Sequence, residues 1–195
     1  MDMEKLKELE MRLEKFVPQK AHDEYALEAV KEAMKAAKNG TYGVGAVLVH
    51  DEVGIVMFRG HNKVFSEQRS DLHAEMDVLN TFERIYKEKG RENIKDFTMF
   101  SSLESCPMCL CRIITSGLDT VYHIADDKVG GMVHLYDNLP PVWKELSEGR
   151  TFEKANCSDE LSAISEQIFQ LTVDLDNKLR TPDPKTKISK QEFVP

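Results

Sequence analysis

Apolar residues recur along this chain with two different periods, and the changes between them mark out the elements. Met3, Leu6, Leu9, Leu13 and Phe16 fall at three- and four-residue steps, one face of a helix that Pro18 ends. Ala26, Leu27, Val30, Ala33, Met34 and Ala37 repeat that spacing between Asp23 and Lys38, and Gly40 closes the second helix. "YGVGAVLVH" and "GIVMFRGHN" read as strands joined by the tight "DEVG" turn. Their unbroken apolar runs predict a hairpin at the centre of a sheet covered on both faces. A helix follows from His73 to about Lys89, then the strand "DFTMFSSL", a helix from Pro107 to about Ser116 and the strand "DTVYHIA". Beyond the Gly130-Gly131 breaker come a short helix in "PPVWKELSEG", opened by proline, and the strand "TFEKA". A long last helix runs from Ser158, its N-cap, to about Leu179, with Leu161, Ile164, Ile168, Leu171 and Leu175 as its stripe.

This order of elements predicts an α/β/α sandwich around a mixed five-stranded sheet. More than twenty residues, a helix among them, separate "DTVYHIA" from "TFEKA". The last two strands are therefore expected to run parallel, because an antiparallel pair needs only a short turn. A length of 195 residues suits one domain. We divide it into an appended N-terminal helix (1–20), a main domain (21–180) and a flexible tail (181–195) that has three prolines and little to bury. The balance of 41% apolar and 31% charged residues excludes a disordered or collagen-like chain. The N-terminus alternates acid and base with no apolar run long enough for export or spanning, so neither a signal peptide nor a membrane partner is expected, and the expected location is cytoplasmic. A formal charge of −8 lacks the footprint of a nucleic-acid binder, so nucleic acid is not the expected partner.

Three of the four cysteines, Cys106, Cys109 and Cys111, fall within six residues, a pattern for metal or thiol chemistry rather than a disulfide framework. Cys106 and Cys109 share one face at the start of a helix, and His73 stands at the start of another. The positive end of a helix favours thiolate, the form that binds metal. One histidine and two cysteines make three zinc ligands and leave a fourth position for water, the arrangement of a catalytic site rather than a structural one. Glu75 lies two residues from His73, where a regular helix does not stack the side chains. It can sit beside the metal without ligating it and is the candidate proton shuttle. The rival is a closed structural site with Cys111 as fourth ligand, although Cys111 faces away from the others if the helix is regular. His61 adjoins Asn62 and is a candidate for lining the same pocket, with a core or rim histidine as the alternative. Phe65, Tyr136 and Trp143 read as packing, with stacking on a base as the alternative.

"HAE" followed by "CPMC" resembles the cytidine and deoxycytidylate deaminase superfamily, whose signature is H-x-E with a later P-C-x-x-C. The resemblance runs from about Tyr42 to Ala125, where "GVGAVLV" and "GHN" are similar to the first two strands of the purine, cytosine and tRNA-adenosine deaminases. It implies the same sandwich fold, Zn2+ on His73, Cys106 and Cys109, and Glu75 as the acid–base group. It also implies that the backbone N–H of Cys106 helps to hold the attacked centre and that Asn62 holds the substrate, with Ala74 and His61 beside it. A homodimer is implied as well, for which the stripes Met3 to Phe16 and Leu161 to Leu175 offer surfaces. One departure is plain: the signature proline before the first cysteine is Ser105. Counted from Cys109, Asp137 falls where bacterial guanine deaminases carry an aspartate that meets the purine. The expected activity is therefore hydrolytic deamination of a small nucleobase or nucleoside, a guanine-like purine gripped by Asn62 and Asp137. Cytosine and tRNA adenosine are the alternatives, and a catalytically silent, zinc-folded interaction module is the rival outside enzymology.

Overall fold

A computed structural model describes residues 1–87 and 93–180, with the side chains of 174–180 left out. Along β1 (Gly45–His50) successive side chains point to opposite faces of the sheet, and that alternation divides the core in two. Val47 and Val49 pack with α1 (Met3–Lys15), α2 (Asp23–Lys38) and α6 (Asp159–Arg180) on one face. Ala46 and Leu48 pack on the other with α3 (Ala74–Tyr86) and α4 (Pro107–Ser116). A short helix, α5 (Pro141–Leu146), lies near α4, where Trp143 joins Leu110, Ile114 and Leu139.

The sheet is the expected five-stranded mixed one, ordered β2-β1-β3-β4-β5, with β2 (Ile55–His61), β3 (Phe97–Leu103), β4 (Thr120–Ala125) and β5 (Thr151–Lys154). β1 runs antiparallel to both β2 and β3, whereas β3, β4 and β5 are parallel. It follows that β2, β3 and β4 all point the same way. The residues that leave their carboxyl ends, Asn62, Glu104 and Asp126, therefore emerge along one edge, the place where open α/β sheets bind ligands.

The hairpin is not central throughout. β1 is covered on both faces, but β2 is the edge strand, and Ile55 and Met57 are 56% and 43% exposed. An apolar run cannot distinguish an edge from a centre, since position in the sheet is set by which strand pairs on the far side. Two 3₁₀ segments, Ile94–Asp96 and Val133–Asn138, are absent from the expectation because so short a turn carries no periodic stripe. α3 ends at Tyr86, and its expected extension toward Lys89 lies outside the described residues, as does the tail 181–195.

The helix expected as an appendage is part of the main core. Leu6, Leu9 and Leu13 are 4% exposed or less and join the same cluster as Leu161, Ile164 and Ile168. Each fully buried leucine contributes about 1.5–3 kcal/mol. The two stripes proposed as dimer surfaces are thus covered within one chain, and they no longer argue for assembly; Leu175 lies outside the described side chains.

Candidate active site

Two helices bring their N-termini together at the carboxyl edge of the sheet. His73 is the N-cap of α3 and Cys106 the N-cap of α4, and neither side chain is used as a cap. Pro107 holds the first position of α4, where no N–H is needed, and presets the turn that follows Cys106. α3 is set close to the sheet by Gly60 on β2, where a Cβ would lie 2.7 Å from Val78 N and 2.9 Å from Ala74 O. Any larger residue there would push His73 and Glu75 off the edge.

His73 Nδ1 lies 3.5 Å from both Cys106 Sγ and Cys109 Sγ, and the three donor atoms fall within 4.8 Å of one another. Donors at the usual zinc distances of about 2.0 Å (nitrogen) and 2.3 Å (sulfur), set at a tetrahedral angle, are about 3.5 Å apart, so the spacing fits zinc. Charge leads to the same conclusion. The hydrogen bond with Cys109 and the neighbouring His73 pull the Cys106 thiol down to about 4, against the effect of burial. The same hydrogen bond and burial push Cys109 well up. Two thiolates so close together would repel each other, and a cation between them would offset that charge. Cys111 is outside the donor cluster, so the closed four-ligand arrangement does not form.

His73 and Cys106 face a cavity of about 300 Å³ that Asn62, Glu75 and Glu104 also line, and Cys109 is buried behind them. Glu75 is 3% exposed; burial, then the charge of Cys106, raises its carboxyl above the ordinary range. Its Oε1 accepts hydrogen bonds from Ser105 Oγ at 2.9 Å and Ser101 Oγ at 3.3 Å. Asn62 is 2% exposed, and its Oδ1 accepts from Thr41 Oγ1 at 2.6 Å and from the N–H of Val64 at 3.0 Å. A backbone N–H can only donate, so the atom it meets is the amide oxygen.

His61, Ala74 and Asp137 are not in the cavity wall. His61 and Asn62 are consecutive at the end of a strand, so they point to opposite faces. The His61 ring meets the buried Glu32 of α2, Nδ1 to Oε2 at 3.1 Å. Ala74 is wholly buried under α3 against β2 and its neighbours. Asp137 is exposed on the 3₁₀ segment, and its carbonyl accepts from Lys144. Tyr136 gives its hydroxyl to a hydrogen bond with Ser147 and packs beside Trp143 rather than facing the cavity.

The carboxylate that the segment after β4 brings to the cavity is Asp127, and the motif itself supplies a second, Glu104. Glu104 is 3% exposed, and Oε2 accepts from the N–H of Asp127 at 3.0 Å. Oε1 accepts from the N–H of His134 at 2.7 Å and meets His134 Nδ1 at the same distance. Gly131 allows this closure, since a Cβ there would stand 2.5 Å from Glu104 Cδ. The signal for Glu104 was its place in "LESC", two residues before Cys106; Phe169 and Val173, from α6, complete the wall with no sequence signal.

A family model described as "Cytidine and deoxycytidylate deaminase zinc-binding region" matches residues 19–125, more than half of the chain. A tRNA-specific adenosine deaminase of Bacillus subtilis (strain 168) is 39% identical over 115 residues, covering 59% of this chain and 68% of the relative. A solved structure from studies of A-to-I editing by tRNA:A34 deaminases at the wobble position of transfer RNA superposes with a TM-score of 0.61 at 24% identity, covering 74% of this chain and 98% of the other. A guanine deaminase from Nitrosomonas europaea gives 0.60 at 14% identity, covering 82% and 91%. The two structural matches carry the fold. The similarity to a tRNA-specific enzyme overturns the expectation that nucleic acid is not the substrate. Net charge sums the whole chain and therefore does not report the charge of any one surface.

Proposed function

Because the chain belongs to the cytidine and deoxycytidylate deaminase family, whose zinc-binding region it contains, we propose that it hydrolyses the amino group of adenosine in tRNA, leaving inosine. The reaction is supported by a cluster of three metal donors, two of which line one cavity with a buried glutamate and an oriented asparagine. The substrate is supported by the 39% identity to a tRNA-specific adenosine deaminase. The guanine-like reading rested on Asp137, which lies outside the cavity wall.

His73 Nδ1, Cys106 Sγ and Cys109 Sγ are the residues that would hold zinc. When bound, the ion supplies Lewis-acid activation of water at neutral pH. Glu75 takes a proton from the attacking water and passes it to the ring nitrogen beside the attacked carbon. It then delivers the second proton to the amino group, so that a carbonyl replaces the amine and ammonia leaves. Its raised carboxyl suits a group that must both accept and return a proton. With Oδ1 already engaged, Asn62 turns Nδ2 toward the cavity and offers a donor to an acceptor on the base. The backbone N–H of Cys106, ahead of the first turn of α4, is assigned to hold the attacked centre.

The test is incubation of purified, zinc-loaded protein with an unmodified tRNA transcript carrying adenosine in the anticodon loop, read as inosine. Cytosine, guanine and free adenosine serve as competing substrates. Turnover of a free base with none on tRNA would overturn the substrate assignment while leaving the deaminase chemistry in place.

A further inference from the structure

The resemblance left Ser105 without a role, since it stands where the deaminase signature has proline, a residue with no hydroxyl. Ser105 lies in the loop between β3 and α4 and is 1% exposed. Its carbonyl accepts the N–H of Met132 at 2.9 Å, so the segment that closes the cavity also pins this loop. Its hydroxyl donates to Glu75 Oε1 at 2.9 Å. From β3, Ser101, which is 0% exposed, reaches the same oxygen at 3.3 Å. Among the described residues neither hydroxyl has another side-chain or backbone partner.

We propose that Ser105 and Ser101 act as positioning residues, a two-hydroxyl clamp that holds Oε1 of Glu75 and leaves Oε2 to carry the proton. A glutamate side chain has three rotatable bonds, and its freedom must be lost before proton transfer can be efficient. Two donors from different elements, a strand and a loop, fix both the place of Oε1 and the plane of the carboxylate. Both serines are buried, so water does not compete for the same lone pairs. Without the clamp, the carboxylate samples orientations in which neither oxygen faces the base. The clamp rests on the assignment of Glu75 as the proton carrier, and its test separates the two.

Ser105→Ala and Ser105→Pro, the second of which restores the family signature and so guards against misfolding, are each expected to lower kcat on the tRNA transcript about tenfold, the scale of one lost hydrogen bond to a charged group. KM, zinc content and melting temperature stay unchanged, and Ser105→Thr, which keeps the hydroxyl, retains most of the rate. In a Glu75→Gln background Ser105→Ala produces no further loss, because the serine acts through the glutamate. A wild-type kcat in both variants, or the same tenfold loss in the Glu75→Gln background, would overturn the clamp. A crystal structure of Ser105→Ala decides it without any substrate: a shifted or split Glu75 carboxylate supports the clamp, and a single unchanged conformer refutes it. Wild-type protein inactive on tRNA overturns the functional reading alone, because the crystallographic result still stands.

Discussion

Asp23 and Glu75 are two buried carboxylates at the starts of helices, each bonded by serine, yet their surroundings drive them in opposite directions. Asp23 opens α2 and ties it to the start of α6. Its Oδ2 accepts from the N–H groups of Gln19 and Lys20 at 2.9 Å and from Ser158 Oγ at 2.5 Å, and its Oδ1 accepts from Ser158 N at 2.6 Å. The Ser158 hydroxyl, expected to cap α6, is spent here instead. Burial raises the Asp23 carboxyl, but the bonds from Lys20, Ser158 and Gln19 outweigh it and hold the value at about 2. Glu75 receives two hydroxyls on a single oxygen and has thiols for neighbours, so burial prevails and its carboxyl moves up. A carboxylate saturated with backbone donors is a structural fixture. One whose burial outweighs its hydrogen bonds, beside a metal site, can exchange a proton.

The comparison fails at its root if no metal is held, so the largest effect expected is loss of the ion itself. His73→Ala, Cys106→Ala and Cys109→Ala should abolish the binding of about one zinc per chain, while Cys111→Ala keeps it, by metal analysis. Zinc lost from Cys111→Ala would restore the closed structural site. Next in size is Glu75→Gln, which should fold and keep zinc while losing on the order of 10²–10⁴ in rate. Inosine formation within a few-fold of wild type would remove the distinction between the two carboxylates.

The matching change at the other carboxylate should read out in stability alone. Asp23→Asn turns an acceptor of four bonds into one that presents N–H to N–H, and should cost about 2–3 kcal/mol in chemical denaturation with kcat unchanged below the melting range. The sign of the pH effect follows from its lowered value, about 2 against the ordinary 3.8. The stabilisation is present above about pH 4 and is lost as pH falls toward 2. Wild type should show that loss and Asp23→Asn should lack it; equal acid profiles would contradict the assignment. The smallest effect concerns substrate orientation. Thr41→Val keeps the shape but removes the donor to Asn62 Oδ1, and should raise KM about three- to tenfold with little change in kcat, while Thr41→Ser retains the wild-type value.

What the sequence determined by itself is everything that depends on neighbours along the chain. Helix and strand periods, the parallel last strands and the pairing of Cys106 with Cys109 on one helix face were legible because a helix turn of 3.6 residues is a local rule. His73 and Glu75 joined them through the resemblance of "HAE" and "CPMC" to the deaminase signature. Tertiary structure decided what depends on faces and distances. His61 was a candidate beside Asn62, with a core or rim histidine as the alternative, until the sheet put the cavity on one side of a strand that sends them to opposite faces. Asp137 looked like a substrate contact and Asp127 did not, because a loop has no period and only its closure on Glu104 showed which aspartate meets the cavity. The stripes of α1 and α6 looked available until they met each other in one core. Ser105 meets Glu75 across 30 residues of chain, through the packing of β3 and α3, and no local rule encodes a hydrogen bond between groups that only the folded sheet brings together.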